Sequence, residues 1–244
     1  IQEAPAIITV ITRDEILAHG YRSITEALRN VVGFDINDNL HWPDTGVRGI
    51  NDRTTYGDKI QMLLDGHNMS WRQFNRNYHH PGWVAMEEIA RVEVIRGPGS
   101  AIWGANALNG VVNIVTRDLA ALDGAEFTFD LDHRFDHQFI SGRAGTTLGE
   151  HLKIGASIAY YADDADALLA PLAEFDKRYN RDVWVAGDQE EAITAALRVR
   201  YRWFDVSFRK IRQETGAPLS TFSILGGDDS RFITDRHIAR ISYE

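Results

Sequence analysis

Residues 91–117 read RVEVIRGPGSAIWGANALNGVVNIVTR. Two short β-branched runs, Val92-Glu93-Val94-Ile95 and Val111-Val112-Asn113-Ile114-Val115, flank a segment with glycines at 97, 99, 104 and 110. The pattern predicts a strand, a glycine-rich loop and a second strand. A dinucleotide cradle fits poorly. Gly97 and Gly99 match the first two positions of its fingerprint, but Ile102 stands at the third and no long amphipathic helix follows. Glycine and Pro98 are therefore read as turn formers that allow close backbone approach.

Upstream, the chain reads as mixed α and β. Ile7 to Ile11 is an expected strand. Thr12 with Glu15, and Ser23 with Glu26, match the capping-box pattern, which predicts short helices over about 13–18 and 24–31. Gly20 and Gly33 stand where a left-handed helix terminus is wanted. Ile60 to Leu64 reads as another strand, closed by a tight Asp65-Gly66 turn.

Downstream, the period changes to two. Phe127, Phe129 and Leu131 alternate with polar residues. So do Leu152, Ile154, Ala156, Ile158 and Tyr160, and again Ile193, Ala195, Leu197, Val199, Tyr201 and Trp203. Six such runs fall at about 124–133, 138–148, 151–161, 193–203, 204–212 and 232–243. Their length suits a tilted membrane-crossing strand of roughly 9–11 residues. Connections near 148–151 and 203–204 are tight, while those at 162–192 and 213–231 are long and polar, the habit of outer-membrane barrels. Alternation alone also fits a soluble β-sandwich. Arg198, Arg200 and Arg202, read as sharing one face, favour a water-filled lumen over a dry core. Tyr201, Trp203 and Phe204 at a short turn, and Tyr160-Tyr161 at a long loop, stand where aromatic girdles would lie.

Composition sets outer limits. The 244 residues suffice for one large domain or two modest ones, and 44% hydrophobic content is ordinary for a protein with a core. A net charge of −9 argues against a general nucleic-acid binder, and the absence of cysteine excludes disulfides and thiolate metal sites. No apolar run reaches the roughly 18 residues of a membrane helix, which leaves barrels open. The first residues, IQEAPAIITV, lack the basic and apolar regions of a signal peptide.

The blocks ITVITRDEI (8–16), SITEALRNVVGFDI (23–36), GVRGI (46–50), QMLLDGHNM (61–69) and MEEIARVEVIRGPGSAIWGANALNGVVNIVTR (86–117), followed by alternating strands, resemble in order and spacing the TonB-dependent outer-membrane receptors. The resemblance implies a mixed α+β plug domain, residues 1–118. Antiparallel transmembrane β-barrel strands would follow over 119–244, part of a roughly 22-stranded barrel. It implies a Gram-negative outer membrane and active import of a scarce ligand: a ferric siderophore or another metal chelate foremost, with haem, cobalamin and sugars also open. The implied partners are the inner-membrane-energised TonB, outer-membrane lipid and the small-molecule ligand. No enzyme activity and no cofactor are expected. The alternative is a receptor that signals or docks a protein partner without import. Six strands cannot close such a barrel, so the chain is expected to be a piece of a longer protein. No clear TonB-binding box precedes Ile7.

Two sets of residues become candidates. Residues 71–83, WRQFNRNYHHPGW, have the composition of a recognition loop. With residues 37–42 and 51–56 they align with the apical plug loops of the family. The expected ligand-binding residues are Asn39, His41, Trp42, Arg53, Tyr56, Trp71, Arg72, Phe74, Arg76, Tyr78 and His79. The arginines suit an anionic ligand and the aromatic rings can stack on it. The adjacent His79 and His80 point to opposite faces of an extended chain, so a metal site is not expected there. The second set is Arg91, Glu93 and Arg96, read as alternating on one strand face. By resemblance they would lock the plug to the barrel. The 162–192 segment holds nine acidic and three basic residues and reads as a solvated loop.

Overall fold

The computed structural model describes residues 7–38, 43–50, 59–70, 82–97, 99–104, 106–132, 137–164, 189–216 and 231–243. The chain divides into two compact units: Ile1–Pro81 with Met86–Arg117, and Gly82–Ala85 with Asp118–Glu244.

The first unit is built on a sheet of order β1-β6-β7-β4-β5. Its strands are β1 (Ile7–Thr12), β4 (Ile60–Leu64), β5 (His67–Asn68), β6 (Ile89–Arg96) and β7 (Gly110–Thr116). The two expected strands of the opening stretch, β6 and β7, pair antiparallel at its centre, with a bulge between Ile89 and Arg91. β4 joins β7 in parallel. Val92, Val94, Val111, Val112 and Ile114 are sealed from solvent. Gly110 is needed at its position, because a Cβ there would come within 2.8 Å of the Ile95 carbonyl oxygen across the pair. The loop between these strands holds one element not expected from its glycines, a single helical turn, α3 (Ser100–Trp103). Its Trp103 amide donates to the Gly99 carbonyl at 2.9 Å.

Two short helices follow β1: α1 (Arg13–His19), which packs against β1 and β6, and α2 (Ile24–Arg29), which packs against the strand Phe34–Asp38. The Thr12 box is complete. The Glu15 amide donates to Thr12 Oγ1, and the Thr12 amide donates to Glu15 Oε2 at 2.7 Å. At Ser23 only half forms: Ser23 Oγ caps the Glu26 amide, but the Glu26 carboxylate takes the amide of Arg22, one residue further out. Gly20 closes α1 in the left-handed conformation, and Asp65 and Gly66 both take positive φ in the turn after β4. A separate hairpin pairs β2 (Phe34–Asp38) with β3 (Pro43–Val47).

The second unit is a six-stranded antiparallel sheet in sequence order. Its strands are β8 (Gly124–Leu131), β9 (His137–Leu148), β10 (Leu152–Asp164), β11 (Gln189–Tyr201), β12 (Phe204–Gly216) and β13 (Arg231–Tyr243). The expected runs are all present. The last five are longer than read, because strand pairing continues into segments whose polarity suggested loop. One face carries Phe127, Phe129, Ile158, Ile193, Leu197, Phe208, Ile233 and Ile241, and it is exposed: Phe129 at 66%, Phe127 at 73% and Ile241 at 76%. The opposite face is polar yet buried, with Arg143, Ser157, Thr194, Arg209, Gln213 and Thr215. A soluble sandwich hides its apolar face; this sheet does the reverse, as a barrel wall in lipid must.

Three sequence expectations need correction. Arg202 does not share a face with Arg198 and Arg200. It occupies the β11–β12 turn with φ 51°, its guanidinium 5.5 Å from the Tyr201 ring. Trp203 is likewise in the turn, since β11 ends at Tyr201. Tyr161 does not belong with Tyr160 in an outward girdle. Neighbours in a strand face opposite ways, and Tyr161 is buried with Phe139, Ala159, Ala192 and Ala85. Tyr201, Trp203, Phe204 and Tyr243 do form an exposed aromatic cluster at the short-turn end, the Phe204 and Tyr243 rings 5.2 Å apart.

Two outcomes follow for the first unit. Thr12→Ala costs about 1 kcal/mol, the usual loss of a cap. The amide hydrogen bond from Thr12 is the largest of the causes that hold the Glu15 carboxyl below its ordinary pKa. Its contribution is therefore present above the unfolded pKa and lost as pH falls through the folded value. Exchange protection of the Thr12 amide, corrected for intrinsic rate, should drop in that acid window; an unchanged protection factor rules the box out. Gly110→Ala should destabilise the β6–β7 pair by about 1–3 kcal/mol, the cost of overpacking. A denaturation midpoint equal to wild type would contradict this.

Candidate functional site

All eleven expected ligand-binding residues, Asn39, His41, Trp42, Arg53, Tyr56, Trp71, Arg72, Phe74, Arg76, Tyr78 and His79, lie outside the described residues. The root of the 71–80 segment is described. Ser70, Gln61 and Asn106 form a buried polar node: Gln61 Nε2 and Asn106 Nδ2 both approach Ser70 Oγ, at 3.4 and 3.3 Å. The Ser70 amide donates to Asn68 Oδ1 at 2.7 Å. Such a node fixes Ser70 against β4, because each buried amide needs a partner.

Arg91, Glu93 and Arg96 are described, and they do not act as one row. Arg91 Nε donates to Glu93 Oε1 at 2.7 Å on a shared face. Glu93 Oε2 accepts from Asn113 Nδ2 at 2.9 Å, and Asn113 Oδ1 accepts from the Gly66 amide at 3.1 Å. The chain of contacts therefore runs from β6 through β7 to the Asp65-Gly66 turn. Asp65 closes it by accepting from the Thr116 amide and hydroxyl, at 2.8 and 2.7 Å. Arg96 has the opposite strand parity. Its guanidinium donates to Thr9 Oγ1 of β1 at 2.9 Å and to the Val32 carbonyl after α2. Arg13 works similarly, donating to the Glu87 and Ile89 carbonyls at 3.0 and 3.2 Å. Together these residues staple the elements of the first unit to β6.

In the second unit the polar face carries a cluster of which the sequence reading singled out the two arginines but neither aspartate. Asp118 and Asp205 bracket Arg198 and Arg200. Asp118 lies 3.2 Å from Arg198 and 3.0 Å from Arg200. Asp205 lies 2.7 Å from Arg198 and 2.8 Å from Arg200. Two positive and two negative groups leave no net charge, the condition for keeping such groups on a partly buried surface. The only sequence signal was two arginines of equal parity facing a short turn with an aspartate beyond it. Elsewhere on the same face, Arg143 pairs with Glu126, and His137 lies 3.7 and 3.6 Å from Asp130 and Asp163. Among the described residues, no group of three or more His, Cys, Asp or Glu is placed to hold a metal ion.

A short segment from the first half of the chain packs in the second unit. At Gly82, φ +79°, a Cβ would fall 2.7 Å from the Tyr161 ring and 3.0 Å from the Ala192 methyl. Ala85 joins the Phe139, Ala159, Tyr161 and Ala192 cluster.

Comparisons with known proteins agree with this architecture. The family described as TonB-dependent Receptor Plug Domain matches residues 1–111. The iron-regulated outer membrane virulence protein of Vibrio cholerae is 38% identical over 122 residues, 48% of this chain and 18% of that protein. The ferrienterobactin receptor of Escherichia coli is 33% identical over 128 residues, 47% of this chain and 17% of that protein. The chain thus matches less than a fifth of the length of either relative. Among solved structures, the ferric yersiniabactin uptake receptor FyuA from Yersinia pestis aligns with a TM-score of 0.68 at 17% identity. That alignment covers 98% of this chain and 38% of FyuA, a likeness of fold. A plug-domain match over residues 1–111, a stapled α+β unit and a sheet with its apolar face outward thus converge on one architecture, a TonB-dependent receptor plug domain in the first half of the chain followed by antiparallel barrel strands.

Proposed function

We propose that the protein binds a scarce ligand, a ferric siderophore or another metal chelate, and imports it with energy transmitted by TonB. The observation that carries this reading is the pairing of a plug-domain sequence with a lipid-facing wall. The names of the relatives add support, since they include an iron-regulated protein and a ferrienterobactin receptor. Two vitamin B12 transporters of Vibrio, at 29% and 25% identity, keep cobalamin within the ligand class to be tested.

In this reading residues 1–118 act as the plug and 119–244 as part of the barrel wall. The break in contacts after Arg117 supports that division to within one residue, with Asp118 and the segment Gly82–Ala85 on the wall side. Ligand is held by Asn39, His41, Trp42, Arg53, Tyr56, Trp71, Arg72, Phe74, Arg76, Tyr78 and His79. The guanidinium groups meet its anionic parts and the rings stack on its flat ones. Arg91, Glu93 and Arg96 keep the plug seated until TonB remodels it. Their observed partners within the plug suit that role, because stapling β6 keeps the lock residues in fixed positions. Transport is a movement of protein, with no covalent chemistry on the ligand.

Radio-iron uptake tests the reading. Cells carrying the full-length protein are offered ferric catecholate, ferric hydroxamate and haem, with labelled cobalamin in parallel. Uptake of at least one should depend on both the protein and TonB. Arg72→Ala and Arg76→Ala should each weaken binding of an anionic chelate about ten-fold or more, the loss of a charge-assisted hydrogen bond. TonB-independent uptake, or none of any probe, sinks the proposal.

A further inference from the structure

The first unit ends at Arg117, and Asp118 follows as the cap of a short turn, Leu119–Ala121. It lies on the polar face of the sheet, against β9, β10 and β11. Two glycines form its seat. Gly145 and Gly155 are direct partners across β9 and β10, and Gly155 is the partner of Arg198 across β10 and β11. A Cβ on Gly155 would fall 2.0 Å from the Leu119 carbonyl oxygen. One on Gly145 would fall 2.6 Å from the Leu122 carbonyl oxygen and 2.9 Å from that of Leu119. Backbone thus lies directly on backbone, which only glycine permits. Glycine otherwise weakens a strand, so two of them in one cross-strand row call for a reason. Leu119 and Ala120 are buried in this seat.

Arg198 of the ion cluster stands in the same row, and the Arg200–Asp205 pair lies two residues along. Asp118 caps the turn, its Oδ1 accepting from the Ala120 amide at 3.0 Å. The same carboxylate meets Arg198 and Arg200. Asp205 is the cross-strand partner of Arg200 and accepts hydrogen bonds from both guanidinium groups, at 2.7–3.2 Å. The arginines are thereby held in place whether or not Asp118 is present.

We propose that Asp118–Leu122 is a fixed anchor, bolted to the barrel wall by the Arg198–Arg200–Asp205 receptor for Asp118 and by the Gly145–Gly155 notch, so that movement of the plug during transport stops at Arg117. The part about movement rests on the transport reading above; the anchor itself does not. An unanchored linker would let a pull on the plug pass into the strand that follows. Here the pull meets two guanidinium contacts and a close-packed turn before it reaches β8.

The test uses the full-length receptor in whole cells, with no other cysteine, carrying Ala120→Cys. Ala27→Cys, buried in α2, reports on the plug. A small maleimide that passes through porins is the probe. Labelling at position 120 should be the same in cells with and without energised TonB, whereas labelling at position 27 should rise with energisation. Adding Asp118→Asn, which keeps the side-chain shape, should raise labelling at 120 about ten-fold, the loss of charge-assisted hydrogen bonds. Adding Gly155→Ala should do the same without touching a charge. Heat-modifiable migration on gels confirms that each barrel has assembled. Labelling at 120 that rises with energisation in the otherwise unaltered receptor overturns the anchor, and so does a failure of both substitutions to raise it. Loss of TonB-dependent uptake alone sinks only the transport reading, since the two substitutions still decide the anchor in de-energised cells.

Discussion

A membrane-spanning sheet has to satisfy two demands at once. Every backbone amide and carbonyl must find a partner within the protein, because lipid offers none, and the side chains that meet lipid must be apolar. Between neighbours, β8 to β13 answer the first by long antiparallel pairing, with the outer edges of β8 and β13 left for further strands, and the second by turning Phe127, Phe129, Ile158 and Ile241 outward. The other face is then free to be polar. That freedom places arginine, aspartate, glutamate and histidine where a soluble sandwich would need leucine and valine. The ion clusters of the wall are a consequence of this inversion, and they remain acceptable because each charge has a counter-charge or hydrogen-bond partner beside it.

The first unit solves a different problem. Its sheet is small and its helices are short, so apolar burial around Val92, Val94 and Ile114 is supplemented by side chains that reach backbone or distant side-chain oxygens. Arg13, Arg96, Asp65 and Asn113 each join elements far apart in sequence. Hydrogen bonds of this kind add little net stability when made, yet cost more when a buried partner is left alone. They therefore define one arrangement strongly without making the unit hard to take apart, which suits the plug role proposed above.

Much of this was legible in the sequence because periodicity reports burial. The period of two in 124–243 reflects two faces with different solvents, and the β-branched runs at 92–95 and 111–115 reflect a strand pair buried on at least one side. Legibility failed where position along the strand, rather than composition, decided the outcome. Arg202 has the right spacing to continue the Arg198–Arg200 row, but the strand ends first. Tyr160 and Tyr161 look like one aromatic feature, but alternate faces separate them. Gly145 and Gly155 look like weak points in strands until their register puts them side by side. Asp118 carries no motif at all; its role depends on contact with residues some eighty positions later in the chain.

Gly82–Ala85 carries a consequence for how the molecule can be made. These residues are synthesised well before Phe139, Ala159, Tyr161 and Ala192, yet they share a packed cluster with them. The part of the wall formed by β8 to β13 is thus not a self-sufficient product of residues 118–244. Its core near Tyr161 waits, during synthesis and export, for strands that must close around a piece of chain already made. A barrel made without Gly82–Ala85 would carry an apolar dent at that place, open to water on its polar side, and would have to fill it with solvent or collapse Tyr161 into it.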